Sequence, residues 1–113
     1  MHEYSLVQSL LERVAQEAAV HRAVAVHRVH VRIGALAGVE RGLFATAFNM
    51  LRPGTLCAAA DLVINLEPSV WACPVCTVPV PADGVLACPA CGWPARLASG
   101  DALVLERVEL EVA

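Results

Sequence analysis

Two Cys-x-x-Cys turns constrain this chain more than any other feature. They read Cys73-Pro74-Val75-Cys76, then eleven residues, then Cys88-Pro89-Ala90-Cys91-Gly92. A zinc ion takes four thiolates in a tetrahedron at about 2.3 Å, and each turn places two of them on one side of an ion. Proline after the first cysteine tightens the turn without needing an N–H. Gly92 can take a positive φ after the second knuckle, and Asp83-Gly84 is expected to turn a hairpin between the halves. Four protein ligands leave no position for water or substrate, so the expected duty is structural. Two other chemistries use the same residues. Two disulfides would require an oxidising compartment, and iron suits the same four thiolates in a rubredoxin-like site. A redox Cys-x-x-Cys comes singly at a helix start, without such proline-rich flanks. Zinc on Cys73, Cys76, Cys88 and Cys91 is the expectation.

Around this segment the hydropathy pattern alternates between helix and strand periods. Residues 4–20 carry Leu6, Leu10 and Val14 with Val7, Leu11, Ala15 and Ala18 along one stripe, as in an amphipathic helix. His21-Arg22 follow at the end that favours cations. A strand is expected at about 26–33, where Val29, Val31 and Ile33 alternate with Arg28, His30 and Arg32. A second helix is expected over 39–51, burying Leu43, Phe44, Ala47, Phe48 and Leu51 and stopped by Arg52-Pro53-Gly54. Strands at about 61–67 and 103–112 complete the set. In the first, Leu62, Ile64 and Leu66 share a face; in the last, Val104, Val108, Leu110 and Val112 do. The pattern predicts an α+β fold: two helices packed on a small three-stranded sheet, with an inserted four-cysteine zinc-ribbon module. The expected domains are residues 1–68, a zinc ribbon over 69–99, and residues 100–113 as a strand returning to the first domain.

Composition removes several function classes. The formal charge is −3, and all eight basic residues are scattered arginines, which argues against a surface that tracks phosphates. In residues 69–99 the sole cation is Arg96, so a ribbon-type nucleic-acid adaptor is a weaker alternative. Charged residues interrupt every apolar stretch, and the start lacks a basic region before an apolar one, so no membrane span or signal peptide is expected. A cytoplasmic location is the expectation. Neither a nucleophile–base constellation nor a phosphate-cradling glycine loop points to an enzyme. Cys57, beside Ala58-Ala59-Ala60, suits a small buried position. Trp71 and Trp93 are expected to pack the ribbon.

The opening Met1-His2-Glu3-Tyr4 offers a second donor set. An imidazole at position 2 can join the terminal amine of Met1 and deprotonated backbone amides, Glu3's included, in fused chelate rings. That planar nitrogen set suits Ni(II) or Cu(II), and the Glu3 carboxylate can orient the ring. A terminal histidine is more commonly a solvated residue without a role, and His21, His27 and His30 are ordinarily strand-face or surface residues.

The combination is what discriminates. Met1-His2-Glu3-Tyr4-Ser5-Leu6, Ile33-Gly34, Val39-Glu40, Leu43-Phe44 with Ala47-Phe48, Gly54-Thr55, the paired knuckles and Val108-Glu109-Leu110-Glu111 resemble the HypA/HybF family of hydrogenase nickel-incorporation proteins along essentially the whole chain. The resemblance implies a nickel-binding domain carrying an inserted zinc domain. It implies His2 as the essential nickel ligand with Glu3 and Met1 beside it, structural zinc on the four cysteines, and nickel as transported cargo. It further implies delivery to [NiFe] hydrogenase, and in some organisms urease. Its expected partners are a GTPase of the HypB type, the hydrogenase large subunit and urease accessory proteins, with the chain a monomer or homodimer. Two departures stand out: Cys57-Ala58-Ala59-Ala60 replaces a more polar stretch, and the zinc loop holds no histidine.

Overall fold

The computed structural model describes residues 2–113. Its elements are α1 (His2–Val20), β1 (Ala23–Gly34), α2 (Arg41–Leu51), β2 (Asp61–Glu67), β3 (Val70–Ala72), β4 (Pro79–Val80), β5 (Arg96–Ser99) and β6 (Leu103–Val112). The main sheet has the order β2-β1-β6. β1 pairs with β2 in parallel and with β6 antiparallel. A parallel neighbour needs a crossover connection, and α2 lies within it. The expected α+β architecture is found: two helices and this three-stranded sheet. A second small sheet, β4-β3-β5, lies within the cysteine segment.

One core forms between the helices and the main sheet. Val7, Leu10 and Val14 of α1 meet Val26, Val29, Val31 and Ile33 of β1 and Phe44, Ala47 and Phe48 of α2. Cys57 is sealed into the same core at 2% exposure. Burial pushes its thiol pKa up, which leaves it an unreactive apolar filler.

Several details differ from the periodicity argument. α1 starts two residues earlier than expected, at His2, with the acidic Glu3 favourably placed in its first turn. Its buried line runs Val7, Leu10, Val14, Ala18 and leaves Ala15 exposed. It closes through Arg22 at φ 55°, whose N–H donates to the Ala19 carbonyl at 3.2 Å. α2 starts at Arg41, capped by the Glu40 carboxylate, which accepts from the Gly42 and Leu43 amides. Leu43, at that cap, stays 48% exposed instead of joining the core.

The largest change is in β6. A register shift falls between the His30–Arg107 and Val31–Leu105 pairs, so two consecutive β6 residues share one step of β1. Such a bulge moves the alternation to the other face. Leu103 and Leu105 therefore pack on the core together with Val108 and Leu110, while Val104 leaves the expected buried set and Val112 is exposed. A second shift in β1, between Val26 and Arg28, lets Val26 and Val29 both face inward.

Candidate metal centre

The four cysteines come together on two knuckles built alike. In the first, Cys73 N–H donates to the Val78 carbonyl at 2.9 Å and Thr77 N–H to the Cys73 carbonyl at 2.9 Å. In the second, Cys88 N–H donates to the Trp93 carbonyl at 2.8 Å and Gly92 N–H to the Cys88 carbonyl at 2.8 Å. Gly92 takes the expected positive φ, 75°. Thr77 occupies the corresponding place in the first knuckle at φ 60°, a conformation unfavourable for a β-branched residue. Its hydroxyl donates to the Cys76 carbonyl at 2.6 Å. Asp83-Gly84 does lie in a turn, but it joins β4 to the second knuckle, and Gly84 needs no positive φ. An isolated bridge between Ala87 and Pro94 closes that knuckle.

The sulfur atoms of Cys73, Cys76, Cys88 and Cys91 all lie within 4.8 Å of one another. Cys73 Sγ and Cys91 Sγ are 3.7 Å apart. A tetrahedron of sulfurs bonded at about 2.3 Å has edges of about 3.8 Å, so the donor set fits one four-thiolate ion. Amide N–H groups point at two of the sulfurs: Cys76 N–H at Cys73 Sγ (3.3 Å) and Ala90 N–H at Cys88 Sγ (3.4 Å). The amides of Cys91 and Ala90 help lower the Cys88 thiol to about 7. Hydrogen bonding to Cys91 and then burial push Cys76 up to about 12. A divalent cation held here would take all four as thiolates, so its binding would release protons. Trp71 pairs within the small sheet, on β3 opposite Val80 and Leu97, while Trp93 is 55% exposed.

Among the described residues, His2 and Glu3 are not members of the cysteine cluster. Met1 lies outside the described residues. His2 is exposed at the first turn of α1, whereas Glu3 is buried at 9% exposure. The Glu40 N–H donates to the Glu3 carboxylate at 3.1 Å. That bond, followed by one from Glu3's own amide, holds the Glu3 carboxyl below the usual carboxylate range. Glu40 is the residue that sequence reasoning missed here. It connects the start of α2 to the start of α1, and its one sequence signal was an acidic residue just ahead of a helix.

Two of the other histidines hydrogen-bond to carboxylates across the polar face of the sheet. His27 Nε2 lies 3.0 Å from Glu111 Oε1, and the His30 ring meets Glu109. The His30 hydrogen bond, with Arg28 and Arg107 nearby, keeps the Glu109 carboxyl below its usual range. Arg32 bridges Glu67 at 3.0 Å and Glu106 at 3.2 Å. His21 lines a shallow groove between α1 and β6 with Arg13 and Glu17. No described helix is long and apolar enough to cross a membrane.

Comparison with known proteins extends this picture over the whole chain. The family model described as "Hydrogenase/urease nickel incorporation, metallochaperone, hypA" matches residues 1–110. A hydrogenase maturation factor HypA of Shewanella baltica is 35% identical over 113 residues, covering 98% of this chain and 97% of the relative. The solution structure of the Ni metallochaperone HypA from Helicobacter pylori superposes with a TM-score of 0.74 at 27% identity, covering 98% of each chain. A second solution structure of a HypA protein gives 0.82 at 27% identity, covering 100% of this chain and 98% of that one. An opening Met-His-Glu, a helix-covered three-stranded sheet and a clustered cysteine quartet thus occur in a chain that matches these proteins from end to end, and the chain belongs to the HypA family of hydrogenase/urease nickel-incorporation metallochaperones, a family of maturation factors rather than enzymes.

Proposed function

We propose that this chain carries Ni(II) as cargo on its first residues and holds a structural zinc on Cys73, Cys76, Cys88 and Cys91. The nickel donors are the Met1 amine, the His2 imidazole and local backbone amides, with Glu3 beside them. The observation that carries this is the setting of His2 within a chain of this family. The imidazole is exposed on the first turn of a helix whose next residue, Glu3, is buried and anchored to the Glu40 amide. First-turn amides have no intrahelical acceptor, so the nitrogens of residues 2 and 3 are not claimed by the helix. Losing amide protons costs free energy, which keeps affinity moderate and makes acid release the metal. An exposed planar site also lets an acceptor reach the ion.

In this proposal residues 69–99 form the zinc domain, and residues 1–68 with 100–113 form the nickel domain. A closed four-thiolate site supplies folding energy to a segment with few core residues of its own. The cargo goes to [NiFe] hydrogenase maturation in the cytoplasm, and to urease where that enzyme is served. A HypB-type GTPase and the hydrogenase large subunit are the partners. Calorimetric titration of nickel into protein with an untagged N-terminus, beside His2→Ala, tests the assignment. Loss of the nickel site in the variant is expected; equal stoichiometry and affinity in both would remove it.

A further inference from the structure

Where β1 ends, both connections between the two sheets pass through one crowded backbone crossing. Gly34 and Gly100 are buried there. A β-carbon on Gly34 would stand 2.2 Å from the Gly100 carbonyl oxygen. One on Gly100 would stand 2.7 Å from the Pro68 carbonyl oxygen and from Ser69 Cα. These neighbours are backbone atoms, so no flexible side chain can swing aside. Gly100 also adopts φ +101°, which L-residues avoid.

Three amides complete the crossing. Gly34 N–H donates to the Ala102 carbonyl at 2.9 Å, Ala35 N–H to the Glu67 carbonyl at 2.8 Å, and Leu36 N–H to the Gly100 carbonyl at 2.8 Å. The turn after β1 therefore grips the outgoing chain at Glu67 and the returning chain at Gly100–Ala102. Connections between structural units are ordinarily exposed and cross with few contacts. Hinges need residues free to absorb changes in φ and ψ, and this crossing leaves none of its strands free. At its far end the same segment reaches Glu40, whose N–H holds Glu3.

We propose that the Gly34–Gly100 crossing is a backbone lock that fixes the four-cysteine sheet to the helix-bearing sheet as one rigid body. A partner that grips either sheet then orients the other, including the first turn of α1. The lock depends on main-chain geometry alone and stands whether or not His2 binds nickel.

Backbone 15N relaxation of the full chain, with its zinc content measured, tests the lock. In the wild type one rotational correlation time fits the amides of both sheets. Gly34→Ala drives a β-carbon into the returning chain. Ala35→Pro is gentler: Ala35 is the second residue of the turn closed by Ala37 N–H to the Gly34 carbonyl at 3.0 Å, where proline is favoured. It keeps the turn and deletes the bond to Glu67. In both variants the common correlation time is lost and the amides of residues 70–99 take a shorter one, with zinc content unchanged. Gly84→Ala, which meets nothing within 4 Å, retains the common time. A common time that persists in Ala35→Pro, or one that is absent from the wild type, overturns the proposal; Ala35→Pro decides alone if Gly34→Ala fails to fold.

Discussion

Glu3 shows how much one side chain can carry. Its carboxylate is buried, accepts the Glu40 amide and thereby ties the starts of α1 and α2 together. A carboxyl held below its ordinary value of 4.5 contributes stability above that value and loses it as pH falls through the folded-state pKa. An NMR titration of the Glu3 carboxyl is expected to inflect below 4.5, with the Glu40 amide resonance moving in the same window; in Glu3→Gln that amide should no longer follow acid. The sequence marked Glu3 as the neighbour of His2 but not its partner, because 37 residues separate Glu3 from Glu40 and no local spacing encodes that contact. Gly92 was legible because its positive φ belongs to the knuckle itself. Thr77 was not, since a threonine gives no hint that its backbone must adopt φ 60°.

Among the elements, β6 separates what alternation can and cannot tell. Its span, 103–112, follows from the apolar pattern and matches the structure. Its facing does not, because one bulge reverses the alternation halfway along. Both apolar sets at its start, Leu103 with Leu105 and Val104 in line with Val108, look equally strand-like until the pairing with β1 is known. The bulged register makes a direct prediction in urea unfolding. Leu105→Ala, which removes side chain packed against the core, should cost about 2 kcal/mol, the low end for a large-to-small core change. Val104→Ala, on the other face, should cost less than about 1 kcal/mol. An unbulged strand would reverse that order. The bulge and the charges along β6 also protect an edge strand from pairing with other chains.

At the scale of the whole molecule, extents of 57 × 28 × 17 Å describe two sheets in an elongated body, and the proposed zinc would give the second sheet its own source of stability. The main sheet has an apolar core under two helices; the cysteine sheet is short-stranded and centred on its sulfurs. Both tryptophans, Trp71 and Trp93, belong to the cysteine segment, so fluorescence reports that part and helical circular dichroism the other. Chelation of zinc should redden the tryptophan emission while leaving most of the helical signal; simultaneous loss of both would contradict separate stabilisation. The two helices and the cysteine quartet were legible early, because helix periodicity and metal knuckles are local patterns. The backbone crossing between the sheets was not, since Gly34 and Gly100 acquire meaning only when brought together. The central claim is that nickel rides on nitrogen donors at the start of the chain while sulfur donors are architectural. X-ray absorption at the nickel edge, on untagged protein loaded with one equivalent, tests it most directly. The account predicts nitrogen or oxygen neighbours only, with an imidazole contribution that disappears in His2→Ala; sulfur in the nickel shell, with the imidazole contribution unaffected by that substitution, would contradict it.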